Sequence, residues 1–174
     1  MTREQKANEI SHYIGVLSSQ VRTLSASGAV VDAARLLPEA FANFEVELPE
    51  PVRGAALETY YRDEFGQTYF ELNNGASAAS QSRLRQLSSN SQALQSAYIA
   101  TNPHPLGSKN ELLSAGPTSY DQLHEGLHPQ LNAYLKEFGY YDIFIVEPEQ
   151  GHIVYSVYKE LDFTTSFIRY LSNR

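Results

Sequence analysis

Two histidines four residues apart are the first arrangement in this chain with a spacing suited to chemistry. His124 and His128 fall on one face of a predicted helix, the way paired imidazoles are presented to a metal ion. His104 or Asp121 is the candidate third ligand. Glu125 sits next to His124, and Pro129 disturbs the local helix. The competing reading is structural: one histidine hydrogen-bonds a loop carbonyl and the other faces solvent. A second candidate is the run Tyr158-Lys159-Glu160-Leu161-Asp162-Phe163, which brings one of only four lysines beside two carboxylates. Such a trio at a strand end can recognise a small zwitterion or can pair internally. As a general acid and base the two carboxylates have no spacing that supports a specific reaction. A third is the loop Asn102-Pro103-His104-Pro105-Leu106-Gly107-Ser108-Lys109. Two prolines stiffen it and Gly107 permits a positive φ, so it either shapes a pocket or connects two elements. The tyrosine pairs Tyr60-Tyr61 and Tyr140-Tyr141 combine an apolar ring with a polar tip, but at their spacing core packing is the commoner use.

Composition removes whole classes. Cysteine is absent, which excludes disulfides, thiolate nucleophiles and zinc-thiolate sites. The 174 residues carry 13 Lys+Arg against 20 Asp+Glu, a net charge of -7, so the chain lacks the basic face that nucleic-acid backbones require. There is no glycine-rich phosphate loop and no Gly-x-Ser-x-Gly nucleophile turn. No apolar run reaches the ~20 residues of a membrane span, and the start, MTREQKANEI, is polar rather than signal-like. Length and 42% hydrophobic content suit one folded domain.

The elements that must position these residues follow from periodicity. Ile10, Tyr13, Ile14, Leu17, Val21 and Leu24 form one apolar stripe at helical spacing. Ser25, Ser27 and Gly28 break it. A second helix carries Val30, Val31, Ala34, Leu37, Phe41 and Phe44, with Pro38 expected to kink or divide it. After the rigid turn Leu48–Pro51, a third helix bears Leu57, Tyr60, Tyr61, Phe65, Tyr69 and Phe70, weakened at Gly66 and stopped at Asn73–Ser77. Asn73 to Ser82 reads as an exposed loop. A fourth helix spans about Ser82 to Ala100, and Leu106 to Pro117 reads as loop. Thr118 or Ser119 caps a fifth helix, with Asp121 or Gln122 closing a capping box, a kink expected near Gly126 and Gly139 as the C-terminal cap. The period then changes. Tyr140–Val146 and His152–Tyr158 are β-branched and aromatic on both faces, joined by Pro148-Glu149-Gln150-Gly151. They predict a hairpin covered by helices or belonging to a larger sheet. A short helix from Thr164 to Leu171 ends the chain. The fold class is α+β and mostly helical: a helical part over 1–101, then loop, helix and two-stranded antiparallel hairpin over 102–174, in one domain.

Taken in order, the segments Leu94–Lys109 (LQSAYIATNPHPLGSK), Ser119–Pro129 (SYDQLHEGLHP) and Phe138–Ser166 (FGYYDIFIVEPEQGHIVYSVYKELDFTTS) resemble the extracytoplasmic sensor region of bacterial methyl-accepting chemotaxis receptors and related membrane-bound cyclases and sensor kinases. Asn8–Phe41, with VVDAA, is similar too. The resemblance implies a periplasmic domain between two membrane helices, with a Cache- or PAS-like sheet containing the hairpin and further strands beyond Arg174, so that this chain is a shortened form. It implies a small-molecule ligand, no catalysis and no cofactor, with Tyr141, Lys159, Glu160 and Asp162 as candidate ligand contacts. It also implies a membrane-anchored parent protein. The alternatives are a helical dimerisation or protein-interaction module without a small-molecule ligand, and a metal enzyme using His104, His124 and His128.

Overall fold

The computed structural model describes residues 2–50 and 54–168. Helix α1 (Arg3–Ser25) starts on a capping box: Thr2 Oγ1 accepts from the Gln5 N–H at 3.2 Å and the Thr2 N–H donates to Gln5 Oε1 at 2.8 Å. No residue of α1 is buried. Its apolar stripe points outward, with Ile10 63%, Ile14 53% and Val21 56% exposed. Only the C-terminal end is tied down: Leu24 packs on the core, and Tyr134 and Tyr140 donate to Gln20.

Helix α2 (Gly28–Glu47) is the spine. Ser27 caps it, and Ala33, Leu37, Ala40, Phe41 and Phe44 form its buried face against the later helices and β2. Pro38 lies within this helix and does not divide it. Leu37 and Phe44 are fully enclosed, each worth about 1.5–3 kcal/mol in burial.

The expected third helix is α3 (Ala55–Thr59) and α4 (Phe65–Leu72), joined by a π-helical turn, Tyr60–Glu64. Gly66 is needed there rather than merely tolerated: a Cβ at that position would lie 2.8 Å from the Tyr61 carbonyl oxygen. The wider turn rotates Tyr60 and Tyr61 inward, and both are buried. The single helix expected from Ser82 to Ala100 is instead two. Helix α5 (Ser80–Leu84) begins inside the stretch read as loop. A turn at 85–87 and the Ser88 cap then start α6 (Ser89–Gln95), which runs on through a second π turn, Ser96–Ala100. Ser88 accepts from the Ser91 N–H at 3.2 Å, and that local hydrogen bond resets the helix.

Helix α7 (Ser119–Phe138) has the expected ends. Thr118 and Asp121 form the capping box, and Gly139 sits at φ 67°. Strands β1 (Phe144–Val146) and β2 (Ile153–Ser156) form an antiparallel pair with a bulge between Ile145 and Val146. Both are shorter than expected because Asp142 intercepts the ladder. Its carboxylate accepts from the N–H groups of Ile143 (2.6 Å), Val157 (2.9 Å) and Tyr158 (3.2 Å) and from Ser156 Oγ (2.7 Å). At the turn, Glu147 gathers the N–H groups of Glu149, Gln150 and His152. β2 is buried along its whole length, as a doubly covered strand requires. Its other edge is met by 164–166, through Thr164 N–H to Ile153 O (3.0 Å), Ile153 N–H to Thr165 O (2.9 Å) and a bridge between His152 and Ser166. The expected helix from Thr164 therefore does not start there. Phe167 and Ile168 are helical, and 169–171 lie outside the described residues. The mostly helical α+β class stands, with one two-stranded antiparallel sheet among the described residues.

Candidate functional site

The histidine pair lies in the core, not at a metal site. His124 and His128 are almost fully enclosed, and their rings stack at 4.4 Å between centroids. His124 Nδ1–H donates to the Leu113 carbonyl at 2.7 Å. His128 accepts from Tyr155 Oη–H at Nδ1 (2.7 Å) and donates from Nε2–H to the Asn110 carbonyl (2.7 Å), tautomers set by these partners. Burial pushes both imidazoles toward the neutral form, His128 down to about 4. The run His124-Glu125-Gly126-Leu127-His128 has the residue order of a zinc-binding helix, yet Glu125 is exposed and His128 has no free nitrogen. His124 Nε2 is buried with no hydrogen-bond partner. Asp121 is equally committed, accepting from Tyr98 Oη–H (2.6 Å), the N–H groups of Ala115, Gly116 and Thr118, and Thr118 Oγ1–H. His104 lies in the 102–109 loop, its N–H on Asn102 Oδ1. That loop is a packed connector, held by Asn102 Nδ2 on the Tyr98 and Lys109 carbonyls. Among the described residues no set of three His, Asp or Glu side chains is arranged to hold a metal ion.

The four candidate ligand contacts go to three different places. Tyr141 is 75% exposed and donates to Glu160 Oε2 at 2.6 Å; that hydrogen bond, more than burial, pushes its hydroxyl up to about 12. Lys159 is 1% exposed and sits at φ 56°. Its Nζ donates to the Ser156 and Val157 carbonyls, each at 3.2 Å, and lies 5.6 Å from the ring centres of Tyr98 and Tyr155. Burial lowers this amine to about 7, opposed only by the carboxylate of Asp142. It belongs to a closed cluster with Tyr98, Tyr120, His124, His128 and Tyr155, where Tyr120 Oη–H donates to the Val154 carbonyl. Asp162 alone of the four reaches a cleft.

That cleft holds about 840 Å³ and opens between α5–α6 on one side and 152–167 on the other. Arg83, Ser88, Ser91, His152, Asp162 and Thr165 are among its polar walls, and Leu87, Leu161 and Phe167 among its apolar ones. One wall is strained. Thr164, a β-branched residue, is held at φ 70° by a reciprocal clasp, Ser91 Oγ–H to Thr164 O (3.1 Å) and Thr164 Oγ1–H to Ser91 O (3.4 Å). Gln95 fixes the same segment from α6 through Nε2 to the Phe163 carbonyl (2.6 Å) and itself accepts from Tyr61 Oη–H (2.6 Å). Asp162 Oδ1 is buried and accepts no hydrogen bond from the described residues. Burial, then the carboxylates of Asp142 and Glu160, raise this carboxyl to about 6. A smaller apolar cavity of about 240 Å³ lies under the C-terminal end of α1, walled by Val21, Leu24, Val30 and Leu131.

Sequence reasoning found Asp162 but missed Arg83, Ser88, Ser91 and His152, which belong to segments read as helix or strand. The serine-rich character of 77–91 was the only available signal. No helix among the described residues is long and apolar enough to cross a membrane. No protein-family model, no curated protein and no solved structure matches the chain.

Proposed function

We propose that this chain is a ligand-sensing input domain of a bacterial transmembrane signalling receptor, placed on the periplasmic side and carrying out no catalysis. The observation that carries this reading is the cleft between α5–α6 and 152–167, whose volume falls within the ~300–1,000 Å³ usual for small-molecule sites. Its wall is a strained segment clasped to α6, and strain of this kind concentrates where a ligand is gripped or a switch is held. The sequence segments that resemble chemoreceptor sensor regions include this wall, Leu161 to Ser166. Occupation of the cleft would bias the position of α6 against α2, and through α2 that of α1. The test is thermal unfolding against a library of amino acids, carboxylates, amines and sugars. A ligand at 100 times its Kd adds about 2.7 kcal/mol, which for a chain of this size raises Tm by roughly 5–10 °C. If no compound moves Tm, direct sensing is refuted. The membrane part has its own test in the coding sequence on either side: an apolar span of ~20 residues is expected on each flank, and polar flanks overturn it.

A second reading has one specific observation behind it. The outward stripe of α1 is an apolar surface that a partner helix would cover. If the domain is an interaction module, sedimentation gives a dimer that Ile14→Glu dissociates. A monomer at high concentration removes this reading.

A further inference from the structure

The cleft also indicates which kind of ligand it takes, an inference that rests on the sensing role proposed above. Its hydroxyl groups direct their protons away from the cavity. Ser82 Oγ–H donates to the Ala79 carbonyl, Ser88 Oγ–H to Ser91 Oγ, and Ser91 Oγ–H to the Thr164 carbonyl. Thr164 Oγ1–H donates to the Ser91 carbonyl, Thr165 Oγ1–H to the Asp162 carbonyl and Tyr61 Oη–H to Gln95 Oε1. Tyr61, Ser91 and Thr164 are enclosed, and the more open Ser82, Ser88 and Thr165 have lone pairs to offer a guest. Asp162 adds a carboxylate, supported by the N–H groups of Asp162 and Phe163; its Oδ1 is enclosed with no partner among the described residues, so this oxygen brings charge to the cleft wall rather than a contact surface. A buried acceptor without a donor is costly, and costlier still when it is ionised. Among the described residues no cation compensates it. The charges that act on Asp162 are Asp142 and Glu160, both of the same sign, while Lys159 three residues earlier turns into the core. Arg83 is an exposed member of the opposite wall and is not among the groups acting on Asp162. Leu87, Leu161 and Phe167 supply an apolar surface beside these acceptors.

We infer that the cleft binds a small organic cation, an alkylammonium group whose N–H donors meet Asp162 and the hydroxyl lone pairs while its carbon stem lies on Leu87, Leu161 and Phe167. An ammonium carries three donors and no acceptor, the complement of the Asp162 carboxylate and the open hydroxyls, while Arg83, Gln86 and His152 also line the cleft. Its positive charge answers a carboxylate on which, among the described residues, only like charges act. A neutral alcohol would satisfy one lone pair and leave the charge uncompensated, and an anion would be repelled from Asp162.

The test uses the intact chain and three probes of one length: n-butylammonium chloride, n-butanol and sodium butyrate, at matched ionic strength, followed by calorimetry and by NMR shifts of the Ser88–Ser91 and Asp162–Thr165 amides. Butylammonium is expected to bind saturably and to shift both segments, and the other two are not. Asp162→Asn, which keeps the shape of the side chain, should weaken binding at least tenfold at pH 8. Because the carboxyl is raised to about 6, affinity should fall about tenfold from pH 8 to pH 5 as it protonates. His152→Gln, repeated over the same range, removes the imidazole that also faces the cleft. Arg83→Gln, a substitution at an exposed position, should leave cation affinity equal or higher. Equal binding by wild type and Asp162→Asn overturns the inference. Binding of butyrate in preference to butylammonium, lost in Arg83→Gln, overturns the cationic class and leaves the sensing role standing. Binding of none of the three, together with an unresponsive library, overturns both.

Discussion

Lys159 offers the sharpest test of the packing described here. Its amine lies against two aromatic rings in the core and is lowered to about 7 from an ordinary 10.5. A neutral amine has two N–H donors, and two carbonyls, Ser156 and Val157, receive them. A third proton would add a charge whose compensation comes from the carboxylate of Asp142 and the faces of Tyr98 and Tyr155. In the unfolded chain the amine titrates normally, so between pH 7 and 10.5 the unfolded state binds the extra proton. Stability must therefore rise with pH across that window and level off below about 7, where both states are charged. Integrating the linkage between those two pKa values gives a gain of about 2 kcal/mol from pH 7.5 to pH 9 for this group alone. Lys159→Met keeps the stem and removes the titration. The quantity to measure is the difference in unfolding free energy between wild type and Lys159→Met, from urea denaturation followed by circular dichroism at both pH values. Taking the difference cancels the buried tyrosines, which are raised in both proteins and lower stability only as pH approaches 10. The expected outcome is a wild type that gains about 2 kcal/mol on the variant over this range. A difference that stays flat would mean that the amine is solvated or paired and that the closed aromatic cluster is wrong.

Three further outcomes follow from the same geometry. Asp121→Ala removes the acceptor shared by Tyr98 and by three backbone N–H groups and the hydroxyl of the α7 cap; it should cost about 3 kcal/mol or more, seen as a lowered urea midpoint with an unchanged slope. Tyr155→Phe leaves His128 Nδ1 without its donor in a closed site, for a loss of about 1–3 kcal/mol in the same assay. Gly151→Ala places a Cβ 3.0 Å from Ile168 Cγ1 at φ 70°, so a loss of about 1–2 kcal/mol is expected, and an unchanged Tm would show that the hairpin turn adapts.

Much of the architecture was legible because it rests on local chemistry. The Thr118–Asp121 box and Gly139 bound α7 as their residue types dictate, and the aromatic, β-branched runs around Pro148–Gly151 gave the hairpin. The failures have a common origin in contacts distant along the chain. Periodicity placed an apolar stripe on α1 but could not say that the described residues leave it exposed. The strand residues Tyr140–Ile143 carry β propensity, yet Asp142 shares the Val157 N–H with the Ile143 carbonyl and takes that of Tyr158, so the ladder ends there. Ser88 looked like a helix interior and is a cap.

The candidate sites show the same division. Residue identity alone established what the chain lacks: a thiol, a phosphate loop, a basic face. It also singled out His124, His128, Lys159 and Asp162 as groups with chemistry to explain. Their roles were decided only by folding, because reactivity depends on what surrounds a group and not on its neighbours in sequence. His128 is occupied by Tyr155 and Asn110, residues 27 and 18 positions away. Lys159 is pushed toward its neutral form by burial in a core that includes Tyr98 from α6's π turn and Tyr155 from β2. Asp162 faces a cleft whose opposite wall lies some eighty residues earlier, at Arg83. Spacing in sequence sets which side chains share a helix face or strand, whereas desolvation and hydrogen-bond supply are properties of the assembled core, and these turned a metal-like pair into packing and one carboxylate into a binding candidate.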